Sequence, residues 1–145
     1  SPPLRLEKDR LSLVEGLKEG LIDVIVSDHL PEDEESKRLP FAQAATGAIG
    51  VETLLPLSLE MYHNQSLPLN KIIETLTINP AKILQIKKGS LAEGSDGDIC
   101  IFDLEAPWAV KAEQLKSKSK NTAIEGRKLQ GKVLMTFLNG ELVFS

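Results

Sequence analysis

The fold class of this chain follows from one short run, Leu21-Ile22-Asp23-Val24-Ile25-Val26-Ser27-Asp28-His29. Five of its first six residues are apolar, most of them β-branched, and polar residues do not alternate with them. This pattern is typical of a strand buried on both faces, as in a parallel sheet covered by helices. We therefore predict an α/β fold in which residues 21–27 form an interior strand.

Three polar residues, Ser27, Asp28 and His29, come where this strand must end, because Pro31 and a run of charged residues follow. A carboxylate and an imidazole at the C-terminal end of a parallel strand are typical of the catalytic face of a (β/α)8 barrel. The alternative interpretation is structural, since Ser or Asp after a strand often caps the next helix. Spacing alone leaves both interpretations open.

The overall composition is that of one ordinary globular domain. The 145 residues are 41% apolar and 26% charged, with a net charge of -4. No basic patch predicts binding to nucleic acid or an anionic membrane, and neither a membrane span nor a signal peptide is evident. The single cysteine, Cys100, is expected to be a buried, inert thiol, and the cytoplasm is the expected compartment.

The start of the chain predicts that more of the protein precedes it. The sequence opens at Ser1 without an initiator Met, and residues 21–27 are the one good candidate for a barrel strand. Such a strand needs neighbours on both sides, so we expect the chain to be the C-terminal fragment of something larger.

Two regions with different periodicity are predicted, residues 1–86 and residues 87–145. In the first, apolar spacing and Gly20 predict a helix over 6–21, and the polar run 31–40 predicts a loop. Residues 41–50 are rich in Ala and Gly, which allows close approach to a neighbouring element or a ligand. Further helices are predicted at 51–63, with a kink or late start at Pro56, at 69–77, and from Asn79-Pro80.

In the second region, strands are predicted at 98–103, 129–138 and 142–144, the last two joined by an Asn139-Gly140 turn.

Several short motifs occur in order along nearly the whole chain. They are Pro2-Pro3-Leu4-Arg5, Ser27-Asp28-His29-Leu30-Pro31, Pro40-Phe41, Gly47-Ala48-Ile49-Gly50-Val51-Glu52-Thr53-Leu54-Leu55-Pro56, Asn79-Pro80-Ala81-Lys82-Ile83-Leu84, Lys88-Gly89-Ser90-Leu91, Gly94, Asp96, Asp98-Ile99, Pro107-Trp108, Gly131-Lys132-Val133 and Asn139-Gly140. In this order they resemble the motifs of dihydroorotase, a family of the amidohydrolase superfamily. Each motif alone is weak, and together they are specific.

The resemblance implies the C-terminal fragment of a (β/α)8 TIM barrel plus part of a small β-sandwich domain. It also implies zinc-dependent, reversible cyclisation of N-carbamoyl-L-aspartate to L-dihydroorotate in pyrimidine synthesis, by a homo-oligomer. The family's zinc-binding histidines would lie upstream of Ser1. Asp28 would contact the metal and carry the proton, because a carboxylate beside zinc can take a proton from the attacking water and give it to the leaving nitrogen. Phe41 and Ala42 would offer backbone groups to the substrate. Without the other ligands, we expect these residues alone to be inactive.

This sequence departs from the family pattern at positions that bind substrate. Glu32 replaces a histidine, and an anion there would repel the substrate carboxylates. Ser1 replaces an asparagine, and Ala42 replaces a glycine. Either a neighbouring cation, Lys37 or Arg38, takes over recognition, or substrate binding has been lost. In the second case the protein would be a non-catalytic dihydroorotase-like subunit that supports aspartate carbamoyltransferase.

The remaining polar residues have mainly structural interpretations. We expect His29 to be structural rather than catalytic, and His63 to occupy a surface site at a helix end. Glu52 is expected to pair with a cation or cap a turn, and Trp108 to pack the β region. Asp96 and Asp98 are expected to bond local backbone, and residues 116–120 to form a solvated loop.

Overall fold

The structure, a computed structural model, describes residues 6–145. Five α-helices come first: α1 (Glu7–Glu19), α2 (Glu34–Arg38), α3 (Leu54–His63), α4 (Leu69–Leu76) and α5 (Ile78–Ile83). Three strands follow: β1 (Ile99–Ala109), β2 (Lys128–Leu138) and β3 (Glu141–Phe144). Short 3-10 helices span Val51–Thr53 and Ala112–Gln114. Ser1 and the motif of residues 2–5 lie outside the described residues.

Most predicted elements are confirmed. Helix α1 ends at Gly20, whose φ of 75° is that of a left-handed cap. Before α3, the turn at Val51–Thr53 is a 3-10 helix, so the α-helix starts late and Pro56 falls in its first turn, where a missing N–H costs nothing. The prediction of a loop at 31–40 is corrected in part, because the segment contains helix α2. This helix begins where the Asp33 side chain accepts a hydrogen bond from the Ser36 amide.

The strand predicted at residues 21–27 is not confirmed within the part of the chain that the structure describes. This segment has no ladder partner there, and Leu21 and Val26 are 76% and 72% exposed. An interior strand of a parallel sheet is defined by hydrogen bonds to both neighbours. Its only regular pairing comes at its end, where an isolated parallel bridge joins His29 to Ala48.

The three strands form one antiparallel sheet in the order β1-β2-β3. The register pairs Ile99 with Phe137 and Trp108 with Leu129, and irregularities interrupt β1 after Ile101 and after Asp103. Asn139 and Gly140, at φ 52° and 81°, form the predicted turn between β2 and β3. Trp108 packs beside the β core and donates Nε1–H to the Gly131 carbonyl at 3.0 Å, as its expected structural role requires.

The helical and β regions share hydrophobic packing. Ile49 and Leu57 pack with Val110, Leu115 and Leu129 in one cluster. A second cluster, within the helical region, is built on Leu17, Leu67 and Ile72. The boundary at residues 86 and 87 therefore stays a prediction, because the two regions meet in a common core.

Two predictions about single residues in the β region are corrected. Cys100 is exposed rather than buried, although packing around the sulfur raises the pKa of its thiol and so favours the unreactive, protonated form. Asp98 bonds the backbone amide of Asn139 at 2.8 Å, 41 residues away, rather than local backbone. Lys88 bridges Asp96 and Asp98 at 2.7 and 2.5 Å, which ties the turn before β1 to the β2–β3 hairpin.

Among residues 6–145, no helix combines the length and the apolar character needed to cross a membrane.

Candidate active site

Asp28 lies at the rim of a cavity of about 560 Å³. Its side chain is exposed, and within residues 6–145 no hydrogen bond or ion pair engages the carboxylate. Its backbone has φ 45°, a left-handed conformation that Asp tolerates better than most residues. The cavity is otherwise mostly apolar, with lining that includes Ile25, Val26, Ile49, Leu54, Leu57, Met61 and Ile124. An available carboxylate at the mouth of an apolar cavity is suited to proton transfer.

The segment around Asp28 is held by the Ala- and Gly-rich residues 47–50. The Leu30 amide donates to the Ala48 carbonyl at 3.0 Å, beside the bridge between His29 and Ala48. A Cβ at position 50 would lie 2.8 Å from the Ser27 carbonyl oxygen, so only glycine allows this approach. The small residues predicted to permit close approach thus bring the chain against a neighbouring segment.

His29 has a structural role here, as expected. Its Nδ1 accepts hydrogen bonds from the backbone amides of Gly50 at 3.0 Å and Val51 at 3.4 Å. A nitrogen that accepts from two N–H groups carries no proton, so the remaining proton is on Nε2.

Phe41 and Ala42 lie in an exposed turn after α2. Phe41 is 99% exposed, and the Pro40 carbonyl accepts from the amides of Gln43 and Ala44 at 2.7 and 2.9 Å. No hydrogen bond within residues 6–145 joins this turn directly to Asp28. A role for Phe41 and Ala42 in substrate binding stays a prediction.

The two cations predicted to take over substrate recognition, Lys37 and Arg38, already have partners. Lys37 Nζ donates to the carbonyls of Ala45 at 2.7 Å and Gly47 at 3.0 Å, and Arg38 pairs with Glu34. The side chain of Glu32 is half-buried and lines a second cavity, of about 610 Å³, with Lys37, Lys118 and Lys120 among its other lining residues. Lys37 thus organises its own loop, which weighs against its predicted use in binding substrate.

The loop predicted at residues 116–120 is confirmed, with Lys116, Lys118 and Lys120 exposed, but two of its side chains bond the rest of the chain. The Ser119 hydroxyl donates to the Glu32 carbonyl at 2.6 Å, and Lys120 Nζ donates to the Leu115 carbonyl at 2.7 Å. Asn121, which the motifs did not single out, bonds Glu32 and Gly47 through its side chain. Nothing local in the sequence indicates that the partners of Ser119 and Asn121 are backbone groups 74 to 89 residues away.

Two further polar residues have defined surroundings. The Glu52 carboxylate accepts the amides of Lys116 at 2.8 Å and Ser117 at 3.0 Å, so it caps a turn, as one of its two interpretations predicted. The surface site predicted for His63 is wrong: its side chain is only 17% exposed, and Nδ1 lies 3.9 Å from a Glu105 carboxylate oxygen. Its Nε2 is buried and has no hydrogen-bond partner among the described residues.

The described residues do not form a metal site by themselves. Residues 6–145 contain no group of three or more His, Cys, Asp or Glu side chains placed to hold one ion. Protein zinc sites use three or four such ligands. Asp28 offers one suitable donor, an exposed carboxylate, and so fits a metal centre only as one member of a larger ligand set.

The chain belongs to the amidohydrolase family, whose family model matches residues 1–143. Among its relatives are dihydroorotases. The chain is 46% identical over 144 residues to the dihydroorotase of Ehrlichia chaffeensis and 44% identical over 144 residues to that of Aquifex aeolicus. These alignments cover 99% of the chain, and 32% and 34% of the two relatives, so the chain spans about a third of their length. The predicted resemblance to dihydroorotase is confirmed.

Solved structures of hydantoinases share this fold. The L-hydantoinase of Arthrobacter aurescens matches with a TM-score of 0.91 and 34% identity, covering 100% of this chain and 34% of its own. A D-hydantoinase matches with a TM-score of 0.91 and 27% identity, covering 100% and 33%. Hydantoinases are TIM-barrel amidohydrolases, and this chain is a mixed α/β unit with a small sheet that corresponds to about a third of one. The predicted fold class is therefore confirmed.

Proposed function

We propose that the full-length protein is a dihydroorotase, which interconverts N-carbamoyl-L-aspartate and L-dihydroorotate in pyrimidine synthesis in the cytoplasm. The observation that carries this proposal is the Asp28 carboxylate, exposed at a cavity rim and free of partners within residues 6–145. The chain that carries it is similar over its whole length to dihydroorotases. A homo-oligomeric assembly is expected from the same resemblance.

Asp28 would carry the proton of the reaction. In the hydrolytic direction, the oxygen of a water bonds to the ring amide carbon, and the C–N bond of that amide breaks. The Asp28 carboxylate accepts one proton from the water and passes it to the departing nitrogen, while the second proton leaves as the new carboxylic acid ionises. Hydrogen bonds on both sides of Asp28 hold its backbone, which limits the reorganisation needed for each transfer.

Zinc, when bound, would polarise the scissile carbonyl and make the attacking water more acidic. Asp28 would supply one oxygen donor to it, and the remaining donors would have to come from outside residues 6–145.

A variant of Asp28 in the full-length protein tests the proposal. We expect Asp28→Asn to lower kcat for dihydroorotate hydrolysis by about 100-fold or more, since general acid–base catalysis contributes at least that much. Asp23→Asn is the matched control, because Asp23 is an exposed carboxylate on the same segment. Equal activity of the Asp28 variant and the wild type, with zinc added, would refute the assignment.

A second candidate function is a non-catalytic subunit that supports aspartate carbamoyltransferase. Glu32 favours it, because this half-buried carboxylate replaces a substrate-binding histidine and Lys37 is engaged elsewhere. Full-length protein with neither bound metal nor turnover of dihydroorotate, but with affinity for aspartate carbamoyltransferase, would support this candidate over the first.

A further inference from the structure

The loop of residues 115–122, which leads from the β region towards the Asp28 segment, is anchored at its start. Leu115 is buried in the cluster shared by the two regions. The next two backbone amides, of Lys116 and Ser117, both donate to the carboxylate of Glu52. Three consecutive residues are therefore fixed before the loop reaches the site.

The end of the same loop is bound to the chain on both sides of the candidate active site. The side chain of Asn121 donates through Nδ2 to the Gly47 carbonyl at 3.2 Å, and its Oδ1 accepts from the Glu32 amide at 3.5 Å. The Asn121 carbonyl accepts from the Ile49 amide at 3.2 Å, and Ser119 holds the Glu32 carbonyl. One side chain thus joins the segment that follows Asp28 to the segment that pairs with it.

The backbone conformation of Asp28 depends on hydrogen bonds made by the residues around it. Its own side chain makes no hydrogen bond within residues 6–145, and its φ of 45° is sparsely populated outside glycine. A residue in this conformation persists when its surroundings determine it. Residues 29 and 30 are held by residues 48–51, and Asn121 connects residues 32, 47 and 49 around them.

We propose that Asn121 is a positioning residue for the reaction, which holds the Asp28 carboxylate in its productive place. This inference rests on the proposed function. Asparagine suits the position because it offers a donor for the Gly47 carbonyl and an acceptor for the Glu32 amide at once. Aspartate would keep the acceptor but would place an anionic oxygen against the Gly47 carbonyl.

The kinetic test uses the full-length protein with dihydroorotate. We expect Asn121→Ala to lower kcat by about 10- to 100-fold with little change in KM, because small displacements of a catalytic group have effects of this size. Asn121→Asp should also lower kcat, because its anionic oxygen would be repelled by the Gly47 carbonyl. Lys116→Ala is the matched control, since the loop uses only the backbone of that residue, and it should leave kcat unchanged.

A double variant separates positioning from general stability. In the Asp28→Asn background, Asn121→Ala should cause little further loss of kcat, because the two residues act through the same carboxylate. An undiminished loss in that background, or an unchanged kcat in the single variant, would overturn the proposal.

Amide hydrogen exchange tests the inference separately from the proposed function. We expect the Leu30 amide, which bonds Ala48 and not Asn121, to exchange at least several-fold faster in Asn121→Ala than in the wild type. Unchanged exchange would overturn the positioning role even in an active enzyme. Faster exchange in Asn121→Ala, together with no dihydroorotase activity of the wild type, would refute the proposed function and leave the structural link intact.

Discussion

The imidazole Nδ1 of His29 accepts the backbone amide of Gly50 at 3.0 Å. The bond joins His29, which directly follows the candidate catalytic residue Asp28, to Gly50. Any other residue at position 50 would clash with the Ser27 carbonyl. A histidine beside a catalytic aspartate invites assignment as a second acid or base. Here its accepting nitrogen is occupied by backbone, so it serves to hold the segment.

Variants of His29 test this role. Asparagine can place an acceptor oxygen near the position of Nδ1, whereas glutamine reaches to the position of Nε2. We expect His29→Gln to lower the free energy of unfolding by about 1–2 kcal/mol, because the Gly50 amide loses its partner, and His29→Asn to lower it much less. Urea unfolding of both variants measures the difference, and equal losses would contradict the bond.

The charge cluster at the β2–β3 hairpin predicts a pH-dependent stability. The Asn139 amide, and then Lys88, hold the pKa of Asp98 below its usual range. A carboxyl with a lowered folded-state pKa stabilises the fold above its unfolded-state pKa, about 3.9, and loses that contribution as the pH falls through the folded-state value. We therefore expect Asp98→Asn to be less stable than the wild type at pH 7 and to approach it in strong acid.

Asp96→Asn is the control for that measurement. Asp96 also pairs with Lys88, but its side chain is 56% exposed, against 28% for Asp98. Solvent screens the more exposed pair, so its loss should have the smaller effect at pH 7. The reverse order in urea unfolding would show that Lys88, rather than the Asn139 amide, dominates the cluster.

Gly131 should be intolerant of a side chain because of the contact between α3 and β2. Its φ is 97°, and a Cβ there would lie 2.5 Å from Cδ1 of the fully buried Leu59. We expect Gly131→Ala to cost about 2–4 kcal/mol, combining backbone strain with overpacking. Gly126→Ala, at φ 75° with open space around it, should cost only the strain, about 1–2 kcal/mol. Thermal unfolding of both variants measures the two losses of stability, and equal losses would contradict this prediction.

Metal binding by this chain alone should be negligible. Residues 6–145 contain no group of three or more side chains placed to hold one ion, and the Asp28 carboxylate by itself does not retain zinc. We expect elemental analysis after gel filtration to find far less than one zinc per chain, and no turnover of dihydroorotate. Stoichiometric zinc on this polypeptide would show that its own residues form a complete site.

Local patterns predicted four of the five described helices and the hairpin, because their causes lie within a few residues. The apolar spacing of α1 and Gly20, and the Asn139-Gly140 turn, each act through neighbouring backbone. The motif around Asp28 likewise identified a carboxylate that the described residues leave available at a cavity rim. The strand at residues 21–27 was not confirmed, because apolar composition describes only the faces of a strand and not the partners of its backbone.

The sequence by itself determined the mixed α/β class, four of the five described helices, the hairpin and Asp28 as the candidate catalytic residue, since these follow from periodicity, turn chemistry and a family motif. Only the tertiary structure decided the partners of that segment: the Gly50 amide on His29, the carbonyls on Lys37, and Asn121 across from Glu32 and Gly47. These hydrogen bonds join residues 8 to 89 positions apart and depend on how the chain packs. A polar side chain looks the same in the sequence whether water or a distant carbonyl becomes its partner.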